Sequence, residues 1–317
     1  MKFNLKTTNV FSVGVLIIAL LFSCTSEKLS TKETPNVKIQ SQKTVDDPPR
    51  PILIEQQSPP NLKYNWQTNF NSKTSIINQI PTPTGFERSS VKNNSFQEWL
   101  QFLPLFPTGQ KVKTYDGSLK WNQQVHSRVI DIDVGKRDLQ QCADAVMRLR
   151  SEYLFGEKQF EKIHFNYTNG TKVSFDDWRK GKKPVVKGNK VTFSNSGEKD
   201  NSYSNFKKYL IQIFSYAGTA SLEKEMKPVP LKNMQIGDVF IQGGHPGHAI
   251  IIVDMAENTH GKKLYLLAQS YMPAQNIHIL KNPTNRKLDP WYELIPNQNI
   301  QTPEWDFSYE DLKRFVD

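Results

Sequence analysis

Three residues of this sequence have side chains that could form a thiol-based catalytic site: Cys142, His248 and Gln269. Cys142 lies near the start of an amphipathic helical segment, where backbone amides and the helix dipole stabilise a thiolate. His248 begins an apolar run and could act as a general base. The carboxamide of Gln269 could fix the tautomer of that imidazole. Residues of these types can carry out acyl transfer through an acyl-enzyme.

The helix that carries Cys142 is predicted over residues 138–153. Its apolar positions recur at spacings of three and four, which indicates one buried stripe: Leu139, Cys142, Val146, Leu149 and Tyr153. Asp138 is placed to cap the helix, so Cys142 falls within about the first turn. The stripe also leaves open a second interpretation, in which Cys142 is simply a small apolar residue on the buried face.

His248 and Gln269 flank the two strands of a predicted hairpin. Residues 249–253 are all apolar and mostly β-branched, which indicates a strand buried on both faces and closed by Asp254. Residues 264–268 form the return strand.

Symmetric pairing about the turn of this hairpin places Asp254 opposite Lys263 and His248 opposite Gln269. Directly opposed residues point to the same face, with Cβ atoms about 4.5–5.5 Å apart. The imidazole and the carboxamide are therefore expected to meet at the edge of the sheet. A slip of one residue would move them to opposite faces.

Other polar residues near these positions have alternative roles. His245, in a glycine-rich loop, is a rival base or a substrate contact, and Gln141 could help backbone amides to bind the oxyanion. His245 and His248 could also be two ligands of a metal, but no third ligand has suitable spacing, so neither a metal nor another cofactor is expected. His278, between two isoleucines on a predicted strand, is expected to be exposed.

The N-terminus has the pattern of an export signal. Lys2 and Lys6 precede the apolar run at residues 15–22, which is too short to span a bilayer. The Ser-Cys pair that follows resembles a bacterial lipobox, which would make Cys24 the lipidated first residue of the mature protein. The chain is then exported and lipid-anchored to the bacterial envelope, more readily on the periplasmic face than on the cell surface. An uncleaved membrane anchor is the alternative.

The sequence divides into three regions. Residues 1–24 are the predicted signal peptide, residues 25–60 a polar, proline-rich tether, and residues 61–317 a single globular domain. The formal net charge of +10 is moderately basic. Because no dense lysine and arginine cluster is interleaved with aromatic residues, nucleic acid is not an expected partner. The oligomeric state is left open.

A helix that begins near a cysteine, then Gly237-Asp238-Val239-Phe240, then a histidine that starts an apolar strand resembles the NlpC-type and other papain-like thiol hydrolases. The resemblance implies an α+β fold whose cysteine-bearing helix packs on a small antiparallel sheet, here with a long insertion between residues 155 and 230. It makes Cys142 the nucleophile, His248 the base and Gln269 the orienting residue. It also implies a cell-envelope polymer or peptide as substrate, such as the peptide of peptidoglycan. A catalytically inactive papain-like lipoprotein that binds envelope glycan or a partner protein is the alternative.

A second resemblance covers residues 80–300. The segments at residues 115–117, 137–145 and 266–275 are similar to an uncharacterised bacterial lipoprotein family, the domain-of-unknown-function family 4846. This similarity supports the domain boundaries and implies no activity.

Overall fold

A mainly antiparallel sheet forms the centre of residues 62–316, the part of the chain that this computed structural model describes. Helices and short hairpins surround the sheet, so the mixed α+β class predicted from the sequence is confirmed. The predicted signal peptide, the lipidation site at Cys24 and the tether at residues 25–60 lie outside the described residues. No helix within residues 62–316 is long and apolar enough to cross a membrane.

The strands follow one another along the chain as β1 (Glu87–Arg88), β2 (His126–Val129), β3 (His164–Asn166), β4 (Lys172–Ser174), β5 (Lys183–Lys187), β6 (Lys190–Ser194), β7 (Lys227–Pro228), β8 (Val239–Gln242), β9 (His248–Glu257), β10 (Lys263–Gln269), β11 (His278–Leu280), β12 (Tyr292–Glu293), β13 (Ile300–Gln301), β14 (Asp306–Phe307) and β15 (Leu312–Arg314). The main sheet has the order β2-β11-β10-β9-β8-β15-β7, with β1 on β9 and β12 on β10. Separate two-stranded ribbons are β3-β4, β5-β6 and β13-β14.

The helices are α1 (Ile76–Gln79), α2 (Phe96–Gln101), α3 (Cys142–Gly156), α4 (Phe175–Arg179), α5 (Tyr203–Phe214) and α6 (Thr219–Glu225). Short 3-10 turns lie at Ser72–Thr74, Phe160–Lys162, Leu231–Asn233 and Tyr309–Asp311. Helix α3 packs on β9 and β10, the two central strands. Its buried residues Val146 and Leu149 belong to the same core as Ile250 and Ile252 of β9.

Helix α3 begins at Cys142, four residues later than predicted, so the assignment of Asp138 as its cap is wrong. Gln141 is the N-cap residue, and its backbone N–H donates to Oδ2 of Asp144 at 3.1 Å. The carboxylate of Asp138 is engaged elsewhere, because its Oδ1 accepts from the backbone N–H of Ala274 at 2.7 Å. Cys142 is therefore the first helical residue.

Strand β9 is longer than predicted, because Asp254 does not end it. The Asp254 side chain is fully buried, accepting from Nε of Arg88 at 2.7 Å and from Nε2 of Gln101 at 2.8 Å. A paired carboxylate can lie inside a sheet, whereas an unpaired one would cost several kcal/mol or more. The strand consequently continues to Glu257, and the hairpin turn lies beyond it.

The insertion between α3 and β8 is partly as predicted. The Asn-Gly turn joins β3 to β4, which confirms the predicted ribbon, and the predicted helix at residues 205–217 is observed at Tyr203–Phe214. The segments around residues 180–184 and 194–199 were predicted to be loops and mostly are, although Lys183, Pro184 and Ser194 belong to the β5-β6 hairpin, which was not predicted. None of the residues in these two strands is fully buried.

Candidate active site

The thiol of Cys142 lies between the first turn of α3 and the first residues of β9. Backbone N–H groups of Ala249, Ala143 and Cys142 itself are directed at the sulfur, and each lowers the pKa of the thiol. Burial and the carboxyl group of Asp144 act in the opposite direction and together raise the pKa of Cys142 to about 11. The thiol is therefore protonated at neutral pH. The residue is nevertheless only partly buried.

His248 is the first residue of β9, so its peptide group is the one that carries the Ala249 N–H directed at the sulfur. Its side chain is 1% exposed. Its ring centroid is 4.9 Å from that of Tyr271, 5.4 Å from that of Trp305 and 5.9 Å from that of Phe307. This aromatic enclosure removes the water that would solvate a charged ring, and burial lowers the pKa of His248 to about 4. The imidazole is thus neutral at neutral pH.

Nε2 of His248 lies 2.8 Å from Oε1 of Gln269, as expected from the sequence, but the predicted register is wrong. Asp254 pairs with Leu266, and Lys263 pairs with Glu257, because β9 is longer than predicted. The register then shifts by one residue between Leu266 and Leu267.

The same shift determines which face Gln269 occupies. Beyond it, Ala268 pairs with Ile251, so Gln269 lies beside Ile250, two residues from His248. Side chains alternate along a strand, so Ile250 and His248 share a face, and Gln269 is a diagonal neighbour of His248 on that face. Without the irregularity, Gln269 would be on the opposite face.

The hydrogen bonds of Gln269 determine which nitrogen of His248 carries the proton. Nε2 of Gln269 donates to Oε2 of Glu304 at 2.8 Å, and a carboxylate can only accept. Oε1 of Gln269 is therefore the atom that faces His248, and it too can only accept. It follows that Nε2 of His248 is protonated and that Nδ1 holds the lone pair.

His278, expected to be exposed, is fully buried, which corrects the sequence prediction. Strand β11 lies inside the sheet between β10 and β2, and His278 pairs with Gln269 on one side and Val129 on the other. Its Nδ1 donates to the carbonyl oxygen of Asn276 at 2.9 Å, and its Nε2 is 3.4 Å from Nε2 of Gln269. Burial lowers the pKa of His278 to about 3, so this ring is neutral too.

The two weaker sequence candidates lie at the edges of the site. His245 is exposed in the loop between β8 and β9, next to a cis proline. Gln141 is half-buried immediately before Cys142, and its Nε2 donates to Oδ1 of Asp138 at 3.0 Å. One amide proton of Gln141 thus bonds to the loop that precedes α3.

Sequence reasoning missed the residues that enclose the imidazole from outside the central hairpin. Trp305 lies over His248, and its Nε1 donates to Oε1 of Gln242, the residue paired with His248 on β8. Lys120 is 2.7 Å from Oε1 of Glu304, with both side chains buried, and its ammonium lies 5.0 Å from the centroid of Tyr271. No local pattern signals Trp305 or Glu304, because the short segment that carries them has neither apolar periodicity nor a motif.

The loop between β10 and β11 connects the sheet to the start of α3. The hydroxyl of Ser270 lies within hydrogen-bond distance of the carbonyl oxygens of Gln140, at 3.0 Å, and Gln275, at 2.9 Å, and its single proton is shared between them. These bonds, with the one from Ala274 to Asp138, keep Tyr271 beside the thiol and the imidazole. Within residues 62–316, no three His, Cys, Asp or Glu side chains are grouped so that they could hold a metal ion.

Comparison with known proteins gives one match. A family model described as domain of unknown function (4846) matches residues 76–314, a stretch that includes the whole candidate site. No curated protein and no solved structure matches the chain.

Proposed function

The chain belongs to the family of domain of unknown function 4846, and we propose that within this family it is a thiol hydrolase that cleaves an amide through Cys142, His248 and Gln269. The observation that carries the proposal is the 2.8 Å hydrogen bond from Nε2 of His248 to Oε1 of Gln269. This hydrogen bond leaves the lone pair of the His248 imidazole on Nδ1. His248 directly precedes Ala249, whose backbone N–H is directed at the sulfur of Cys142.

The reaction begins with a neutral thiol and a neutral imidazole. Nδ1 of His248 takes the proton of Cys142 as the sulfur attacks the carbonyl carbon, and the imidazolium then gives that proton to the leaving amine. In the second half, His248 takes a proton from water as its oxygen attacks the thioester. The carboxylic acid leaves, and the proton returns to the thiol. The carboxamide of Gln269 holds the ring in one tautomer throughout.

The pKa values favour this route over an ion pair formed in advance. Burial disfavours both the thiolate of Cys142 and the imidazolium of His248. In this proposal the two charges therefore form only during the reaction with a bound substrate. Backbone N–H groups at the start of α3 and at Ala249 are available to stabilise negative charge on the sulfur. A backbone amide at the N-terminus of α3, with the carboxamide of Gln141, would bind the oxyanion.

A cysteine-bearing helix on an antiparallel sheet, with histidine on one strand and glutamine on the next, supports the papain-like, NlpC-type arrangement that the sequence resemblance implies. On this basis we assign a cell-envelope substrate, the peptide part of peptidoglycan. The signal-like N-terminus and its Cys24 support an exported protein that is attached to the envelope by lipid. A cofactor is not part of the proposed reaction.

A second candidate is a catalytically inactive lipoprotein of the same fold that binds envelope glycan or a partner protein. The observation that favours it is the raised pKa of Cys142, since a thiol held neutral by burial is typical of a packing residue. Both candidates predict the same fold and differ only in whether Cys142 reacts.

The test is incubation of the full chain with peptidoglycan peptide fragments, followed by mass spectrometry of products and of protein. Hydrolysis predicts a newly released amine and an acyl group on Cys142. Cys142→Ala and His248→Leu should each lower the rate at least about a thousandfold, because the two groups act as a unit. His260→Ala, at an exposed position in the turn between β9 and β10, is the matched control and should keep the rate. Fragments that bind without being cleaved, equally well to Cys142→Ala, would favour the binding protein.

A further inference from the structure

The ion pair of Lys120 and Glu304 is buried directly behind the proposed active site. The two side chains are 1% and 6% exposed, and Nζ of Lys120 lies 2.7 Å from Oε1 of Glu304. The other oxygen of the same carboxylate accepts from Nε2 of Gln269 at 2.8 Å. Glu304 therefore connects a fixed positive charge to the residue that orients the imidazole.

The hydrogen bonds that join His248, Gln269 and Glu304 all run in one direction, each donor pointing towards Glu304. Glu304 accepts from Gln269, whose Oε1 accepts from Nε2–H of His248. A carboxamide has a donor end and an acceptor end, so the direction at one end of Gln269 fixes the direction at the other. Reversing Gln269 would place its oxygen against the carboxylate of Glu304 and against the unprotonated Nε2 of His278.

We propose that Glu304, with Lys120 as its buried counter-ion, is a positioning residue that sets the orientation of the Gln269 carboxamide and thereby keeps the lone pair of His248 on Nδ1. The proposal rests on the proposed function for its catalytic meaning, but the tautomer itself is a property of the free protein. Reversal of the carboxamide would move the proton of His248 to Nδ1, and the ring could no longer accept the proton of Cys142.

The decisive variant is Glu304→Gln, because it keeps the shape of residue 304 and changes only its charge and one of its acceptors. The ammonium of Lys120 attracts the new amide oxygen, which leaves the NH₂ group of residue 304 facing Gln269. Gln269 must then present its oxygen to that NH₂ group and its own NH₂ group to His248. This isosteric substitution thus reverses the direction of both hydrogen bonds, from residue 304 to Gln269 and from Gln269 to His248.

Removal of the charge of Lys120 separates orientation from packing. Lys120→Met leaves the carboxylate of Glu304 able to accept from Gln269, so the tautomer of His248 should not change. In the double variant Lys120→Met/Glu304→Gln, no ammonium group attracts the amide oxygen of residue 304 away from Gln269. That oxygen can then turn to Gln269 and restore the original direction.

The experiment records imidazole nitrogen and carbon chemical shifts of His248 in the full chain at neutral pH, with histidine labelled isotopically. We expect the Nε2–H form in the natural protein, in Lys120→Met and in the double variant, and the Nδ1–H form in Glu304→Gln. With a peptide substrate, kcat of Glu304→Gln should fall about tenfold or more, in proportion to the remaining Nε2–H fraction, with KM little changed. The double variant should recover most of that loss.

Several results would overturn the proposal: a natural protein in the Nδ1–H form, or a folded Glu304→Gln variant that stays in the Nε2–H form. If Glu304→Gln does not fold, Lys120→Met/Glu304→Met replaces the pair by apolar side chains, a change that buried ion pairs often tolerate. Both tautomers are then expected, and a single Nε2–H form contradicts the proposal. If the shifts behave as expected while no variant affects hydrolysis, the proposed function fails and the positioning role stands.

Discussion

His248 and Gln269 lie two residues out of register on neighbouring strands, yet Nε2 of one is 2.8 Å from Oε1 of the other. The shift in pairing between Leu266 and Leu267 makes this possible, because it brings Gln269 to the face that His248 occupies. Irregularities of this kind often lie next to active sites, where they direct a side chain. Here the irregularity directs the residue that determines the protonation of the imidazole.

Replacement of Gln269 by leucine should lower kcat at least tenfold with little change in KM. The apolar side chain leaves Nε2–H of His248 buried without an acceptor, which costs about 1–3 kcal/mol and frees the ring to change tautomer. The measurement is steady-state hydrolysis of a peptide substrate together with thermal unfolding.

The matched control for this variant is Gln101→Leu. Gln101 is also a buried glutamine, and it donates to the buried carboxylate of Asp254 at 2.8 Å. It should lose stability to a similar degree and keep kcat. Equal kcat for Gln269→Leu and the natural protein would mean that the carboxamide has no role in the reaction.

Replacement of Trp305 by alanine should raise the pKa of His248 from about 4 towards its ordinary value of 6.5. The indole covers one side of the imidazole, so its removal admits water that stabilises the charged ring. The measurement is titration of the His248 signals by nuclear magnetic resonance.

Trp121→Ala is the control for the loss of a tryptophan, because Trp121 is 83% exposed and should leave this titration unchanged. A pKa that stays near 4 in Trp305→Ala would show that the remaining aromatic rings are enough to exclude water.

The sequence predicted the parts of the site that depend on strong local patterns. The five apolar residues at 249–253 indicated β9, and the stripe from Cys142 to Tyr153 indicated α3. The predicted contact of His248 with Gln269 was also right, although its register was not. The extra length of β9 alone would have turned Gln269 to the opposite face of the sheet. The bulge between Leu266 and Leu267 turns it back to the face of His248, so the predicted contact is made with a different register.

The remaining parts of the site depend on tertiary contacts that local patterns do not encode. Asp254 has the residue type of a strand end, and only its partners Arg88 and Gln101, far away in the chain, allow it to stay inside β9. His278 has a polar side chain on a three-residue strand, and it is buried because β2 pairs outside it. Glu304 bonds to Gln269 from 35 residues further along the chain, and no short sequence motif covers such a separation.

Replacement of His278 by leucine should change how stability depends on pH. Burial lowers the pKa of His278 to about 3, whereas the unfolded chain has the ordinary value near 6.5. The unfolded state therefore binds this proton first as the pH falls, and folding stability contributed by the neutral ring is lost below about pH 6.5. Between pH 7 and 4.5 the natural protein should lose about 2.5 kcal/mol more than the variant.

This difference is measured by urea unfolding of both proteins at each pH. Comparison with the variant is needed because Glu225, whose pKa burial raises to about 7, changes the stability of the natural protein in the opposite direction. His260→Leu, at an exposed position, is the control and should parallel the natural protein. Parallel curves for His278→Leu would contradict the lowered pKa.

The most direct test of the account is the rate at which iodoacetamide alkylates Cys142 in the native chain, measured from pH 6 to 10. A Cys24→Ser background leaves Cys142 as the one thiol of the sequence. We predict labelling without denaturant, at a rate that rises with pH and reaches no plateau by pH 10, because the pKa of Cys142 is about 11. His248→Leu should slow labelling at neutral pH, since the thiol then has no base. Labelling only after denaturation, or an equal rate in His248→Leu, would contradict the pairing of the Cys142 thiol with the His248 imidazole. The result would then favour the catalytically inactive binding protein.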